Sequence, residues 1–165
     1  MTYRYFAYGS SLEPAHFAEW ATEHGHPTDV LADGLAAALD DYALVLSVPS
    51  RYWMGAVGTL EPRPGETVYG VLFEVEDPFA DVVRHKEGVA TGLYRETEVE
   101  VRLWTPAGDA STLQLNTASA FVVVEGRQVA HPPPPSQRWL DITIAGAQAR
   151  GLPDLWIAEL KRRKR

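Results

Sequence analysis

The sequence predicts an α+β fold in which about six strands, largely antiparallel, curl into a closed or nearly closed barrel flanked by helices. Three observations lead there. Strand-like segments follow one another through the middle of the chain, whereas helical patterns gather at the two ends and at one crossover. Gly55 and Gly58 interrupt a strand-like run, as bulges or close backbone approaches do in a curved sheet. The 165 residues are 45% apolar, enough for one well-filled core.

In chain order, residues 2–8 are aromatic-rich and form a short buried strand that stops at Gly9. Ser10 and Ser11 offer N-cap hydroxyls, Pro14 falls in a first turn, and Phe17, Trp20, Ala21 and His24 recur at helical spacing up to Gly25. Residues 42–48 and 54–60 are the next strands; a Pro- and Gly-bearing turn fills 61–66, and 68–75 is a fourth strand. Asp77 as N-cap and Pro78 behind it open a helix that Gly88 ends. Residues 96–104 alternate strictly, with Val99, Val101 and Leu103 opposite Glu98, Glu100 and Arg102, a half-exposed antiparallel strand. Leu113, Leu115 and residues 121–124 supply one or two more strands. Four prolines at 132–135 make a stiff connector, Ser136 caps a helix reaching Gly151, and Pro153 opens a last helix. The chain therefore divides into one domain over residues 1–160 and a basic tail at 161–165.

Composition removes whole classes of chemistry. With no cysteine there is no disulfide framework, thiolate metal site or cysteine nucleophile, and a reducing compartment fits. No apolar run approaches the roughly 20 residues that span a bilayer, and the first residues lack a secretory pattern, so a cytoplasmic protein without membrane contact is expected. The tail holds five of the 15 basic residues. Residues 1–160 therefore carry ten basic against 22 acidic side chains, a net of −12, which disfavours nucleic acid as a partner.

Two constellations could carry chemistry. In the first, Tyr5, Phe6, Ala7, Tyr8, Gly9, Ser10, Ser11 and Leu12, a strand turns at glycine into a helical segment. Such a joint presents backbone N–H groups to a carboxylate or an oxyanion, and many joints of this kind bind nothing. It is not the G-x-S-x-G elbow of serine hydrolases. The second is Lys86-Glu87-Gly88-Val89, with Gly92, Tyr94 and Arg95 close behind. Glu87 falls at a helix C-terminus, where the dipole favours the opposite charge. A carboxyl group buried in such a place can take up and return protons; an exposed one pairs with Arg84, His85 or Lys86, and both roles stay open. His24 and His26 lack a third ligand, so no metal site is expected; His16, His85 and His131 show no triad spacing. The tryptophans Trp20, Trp53, Trp104, Trp139 and Trp156 read as core.

Together these blocks resemble the γ-glutamylcyclotransferase-like family, which includes the AIG2-like proteins. The family's opening Y-F-A-Y-G-S-N-L is matched from Tyr5 to Leu12 except at Ser11. Its V-[WY]-G-V, E-G-V and G-x-Y elements are matched by Val68-Tyr69-Gly70-Val71, Glu87-Gly88-Val89 and Gly92-Leu93-Tyr94. Its closing P-P-S, G-A and G-L-P elements are matched by Pro134-Pro135-Ser136, Gly146-Ala147 and Gly151-Leu152-Pro153.

The resemblance implies a mixed barrel whose glycine loop and glutamate share one cavity. It also implies cofactor-free cyclisation of a small γ-glutamyl substrate, an amino acid or amine derivative, to 5-oxoproline, with a homodimer left open. By analogy Glu87 takes a proton from the attacking ammonium and delivers it to the leaving nitrogen, while residues 8–11 hold substrate oxygens through backbone N–H groups. Tyr94 and Trp139 belong to the implied substrate site. Ser11 stands where the family carries asparagine, and Trp139 and Phe121 stand where it carries tyrosine, changes that favour a more apolar leaving group. The rival roles are a non-catalytic protein that keeps the cavity and one that meets an anionic partner through its tail.

Overall fold

The computed structural model describes residues 1–108 and 113–164; Arg165, the last residue of the basic tail, lies outside them. Its strands are β1 (Thr2–Ala7), β2 (Gly34–Ser50), β3 (Gly55–Glu76), β4 (Tyr94–Leu103) and β5 (Leu115–Val123). They close into a barrel in the order β1-β3-β2-β4-β5. Every neighbouring pair is antiparallel except β1 and β5, which meet in parallel at Tyr5 and Ser119 and make the barrel mixed. Around it lie α1 (Pro14–Glu23), α2 (Ala80–Lys86), α3 (Gln137–Ala149) and α4 (Asp154–Arg162).

The strand count falls to five because the proline-rich segment at 61–66 bends a strand instead of ending it. Tyr42 pairs with Pro62 and Asp40 with Thr67, so residues 63–66 bulge out opposite Asp41 alone. Asp41 sits at φ +63°, Gly65 at φ +85°, and the Gly65 amide donates to Asp41 Oδ1 at 2.9 Å. Beyond the bulge the ladder resumes. β2 also begins at Gly34, well ahead of Tyr42, although Leu35 to Leu39 carry neither alternation nor β-branched residues. Pairing with β3 overrides that weak local preference.

Helix starts shift for a related reason. Pro14 drives the residue before it into an extended conformation, so Glu13 (φ −86°, ψ 115°) caps α1 and its Oε2 accepts from His16 N at 2.5 Å. Ser10 and Ser11 are released from capping and form a short 3₁₀ turn, Ser10–Leu12. Likewise Asp77 and Pro78 lie inside a 3₁₀ turn, Asp77–Phe79, behind Glu76, and α2 begins only at Ala80. Ser136 does cap α3, accepting from Trp139 N at 3.1 Å. Helices α1 and α3 are followed by glycines with positive φ, Gly25 and Gly151.

Helix α3 fixes the loop after β1. A Cβ on Gly146 would lie 2.6 Å from Leu12 and from Glu13 N, so only glycine lets the helix approach this closely. One turn later the Arg150 guanidinium reaches the carbonyls of Leu12, Ala32 and Leu31 at 3.1, 2.9 and 2.8 Å and lies over the Phe73 ring. Of the tail, Lys161 and Arg162 continue α4; Arg162 and Arg163 pair with Glu159, Arg163 also donates to the Leu44 carbonyl, and Lys164 pairs with Asp141. No helix among the described residues is long and apolar enough to cross a membrane.

Candidate active site

Strand β1 and the turn behind it supply one wall of a cavity of about 400 Å³. Tyr5 is buried on β1, and Ser10 and Ser11 are buried in the 3₁₀ turn with their hydroxyls bonded to Lys86 and Glu87 instead of capping a helix. Glu87 arrives from α2. As the C-cap residue it donates its amide to Val83 at 2.9 Å, and Gly88 follows in the left-handed conformation that turns the chain away. The carboxylate thus leaves the helix end and meets the turn. Tyr5 Oη donates to Glu87 Oε1, and Ser11 Oγ donates to the same oxygen at 3.1 Å. Lys86 Nζ donates to Ser10 Oγ at 3.4 Å.

The phenols around this carboxylate are held protonated. Burial first, and then the charge of Glu87, pushes Tyr5 and Tyr94 well above the ordinary tyrosine range; burial does the same for Tyr8, with Tyr94 and Glu87 adding to it. Tyr8 donates to the Phe121 carbonyl at 2.5 Å and Tyr94 to the Gly58 carbonyl at 2.7 Å. Both rings are therefore pinned to the barrel wall. Burial lowers the Lys86 ammonium, and Glu87 opposes that shift.

Trp139 closes another side. A Cβ on Gly9 would come within 2.7 Å of its ring and one on Gly58 within 2.9 Å, so the indole fills the space that two glycines leave. Ser136 ties this wall to the β2–β3 turn, donating to the Trp53 carbonyl at 2.6 Å while capping Trp139.

Of the residues singled out in the sequence, Glu87, Tyr5, Tyr8, Gly9, Ser10, Ser11, Tyr94 and Trp139 line this cavity. Phe6, Ala7 and Leu12 do not; they are buried in the core, where Phe6 and Ala7 pair with β3 and Leu12 sits under α3. Sequence reasoning missed His16, Tyr52 and Trp53, which also line the cavity. Of the tryptophans read as core, Trp139 and Trp156 are buried in it, Trp20 and Trp53 pack against it half-buried while also lining the cavity, and Trp104 is half-buried outside it. The one available signal was the face of α1, since His16, Trp20 and His24 are spaced four apart. His85 joins His24 and His26 around Trp20, yet among the described residues no group of three or more His, Asp or Glu is arranged to hold a metal ion.

A half-buried carboxylate with one oxygen fixed by two hydroxyls, facing a cavity of small-molecule size, is equipped to hold and move a proton. The chain is similar to known proteins in sequence and fold. Residues 67–160 match the model of the AIG2-like family. The chain is 29% identical over 169 residues to γ-glutamylcyclotransferase of Homo sapiens, covering 97% of this chain and 78% of that protein. It is 28% identical over 159 residues to γ-glutamylcyclotransferase of Bos taurus, covering 92% and 73%. A solved structure of a γ-glutamyl cyclotransferase superposes with a TM-score of 0.75 at 25% identity, over 98% of this chain and 87% of that one.

Proposed function

The chain belongs to the AIG2-like family, and from that premise we propose that it is a cyclotransferase that converts a γ-glutamyl amino acid or amine to 5-oxoproline. The substrate's α-amine attacks its own γ-carbonyl carbon. A C–N bond forms, the attacking nitrogen gives a proton to Glu87, and the tetrahedral intermediate collapses as the original amide C–N bond breaks. Glu87 returns the proton to the departing nitrogen, which leaves as an amine. Backbone N–H groups of residues 8–11 hold the substrate oxygens, including the one that becomes negative in the intermediate. No covalent bond to the protein is needed, because the nucleophile is part of the substrate. Holding a flexible γ-glutamyl chain in its ring-closing conformation supplies much of the acceleration.

The observation that supports this reading most directly is the meeting of Glu87 with Ser11 and Tyr5 beside the Gly9 turn. Glu87→Gln keeps the side-chain shape and loses the proton carrier. In an assay of 5-oxoproline release from γ-glutamyl-alanine the variant should lose a factor of about 10²–10⁴ in kcat. A folded variant as fast as the parent removes Glu87 from the mechanism. A parent protein that binds γ-glutamyl-alanine and returns it intact, as judged by mass spectrometry, is a binding protein and not an enzyme.

A further inference from the structure

The cavity extends well beyond Glu87, and its outer wall is a belt of rings. Helix α1 contributes His16 and, one turn on, Trp20 and then His24. At one end Trp53 packs on His16 with ring centres 5.4 Å apart, and Tyr52 packs on Trp53 at 5.1 Å. At the other end His24 stacks on Trp20 at 4.6 Å and His85 meets Trp20 edge-on at 5.1 Å. These rings are not spent in the core: Trp20 and Trp53 are half-buried, and Tyr52 keeps 61% of its surface exposed. They are also braced, since the Arg138 guanidinium lies 4.8 Å from the Trp53 ring centre and Lys86 Nζ lies 5.9 Å from that of Trp20. Lys86 is the neighbour of Glu87, so the belt begins one residue from the acid.

We propose that this belt is the leaving-group subsite and that it selects γ-glutamyl substrates whose departing amine carries an aromatic ring. The inference rests on the cyclotransferase reading. With the γ-carbonyl at Glu87, the departing nitrogen and its substituent must occupy the rest of the same cavity, and the surface waiting there is aromatic. Rings already packed on one another, in one group around Trp53 and another around Trp20, offer stacking and edge-on contacts to a flat group at little ordering cost, whereas a methyl side chain leaves most of that surface uncovered.

The test compares γ-glutamyl-phenylalanine with γ-glutamyl-alanine. The wild-type protein should favour the phenylalanine substrate about tenfold or more in kcat/KM. Tyr52→Ala and Trp20→Leu should each reduce that preference by lowering kcat/KM on γ-glutamyl-phenylalanine more than on γ-glutamyl-alanine. Tyr52 is exposed, so its variant reads out the subsite even where Trp20→Leu disturbs α1. Equal kcat/KM for the two substrates, or a preference unchanged in Tyr52→Ala and in a folded Trp20→Leu, overturns the proposal. Calorimetric binding of the same two compounds separates it from the reading beneath it. If neither yields 5-oxoproline the cyclotransferase reading fails, and the subsite stands on tighter binding of the phenylalanine compound or falls on equal binding.

Discussion

Tyr5 donates its phenolic hydrogen to Oε1 of Glu87, joining the first strand to the end of α2 across 82 residues of sequence. The ring of Tyr5 is buried between Phe73 and Phe121, with ring centres at 6.0 and 5.7 Å. Packing fixes the hydroxyl, and the hydroxyl fixes the carboxylate. Ser11 supplies a second anchor to the same oxygen.

Tyr5→Phe keeps the ring and removes the donor. Stability should change by about 1 kcal/mol, because the packing surface survives. Turnover should fall about 10- to 100-fold, the value of one hydrogen bond to a charged group that is lost from the reacting carboxylate. Thermal melting and 5-oxoproline release measure the two separately. An unchanged kcat would leave Tyr5 with a packing role only.

Gly9→Ala drives a methyl group into the Trp139 ring, where the contact would be 2.7 Å. The expected loss is about 1–3 kcal/mol by urea unfolding, as for other overpacked sites. The smaller ring of Trp139→Phe should relieve part of it, so the four proteins of the double-mutant cycle should not be additive. Equal penalties in both backgrounds would put the strain somewhere other than this contact.

Much of this geometry was legible in the chain, and the rest was hidden for identifiable reasons. Local chemistry alone decides several features: the turn at Gly9 that ends the first strand, the glycines behind α1 and α2, and the Ser136 hydroxyl that caps α3. Each of Glu87 and residues 8–11 is weak evidence by itself, since strand–glycine turns are common and a carboxylate at a helix end can simply pair with basic neighbours; they stand out through their joint match to the γ-glutamylcyclotransferase-like pattern. What depends on distant partners could not be read. The 61–66 segment looks like a turn until β2 lies beside it, and Leu35 to Leu39 look like nothing in particular until β3 does. His16 and Trp53 become cavity walls only once α1 and the β2–β3 turn are brought together.

Arg150 gathers three carbonyls, two from the loop before β2 and one from Leu12. A lysine keeps the charge and loses the planar fork. Arg150→Lys should therefore lose about 2 kcal/mol, close to the loss in Arg150→Met, when both are compared by chemical denaturation. A lysine variant as stable as the parent would show that charge, not geometry, is what holds the turn.

His16 makes stability depend on pH. Burial, reinforced by the positive charges of Lys86 and Arg138, lowers it from 6.5 to about 4. Between those values the unfolded chain binds a proton that the folded protein does not, so stability rises with pH through the window and levels off above 6.5. Falling pH takes that stability away, and below about 4 both states are protonated. His16→Gln should flatten the dependence of unfolding free energy on pH over this range. An identical slope in the variant would assign the acid sensitivity to other groups.

Strand β1 pairs with β5 in register at Tyr5 and Ser119, and that pairing closes the barrel. On the ribosome the two residues appear far apart in time: at roughly 5–20 residues per second, roughly 6–23 seconds separate them. Through that interval the edge of β1 that will face β5 has no partner from its own chain, and it carries Tyr5, the anchor of Glu87. The newborn chain thus passes through a period in which an aggregation-prone edge and the residue that anchors Glu87 are the same piece of backbone.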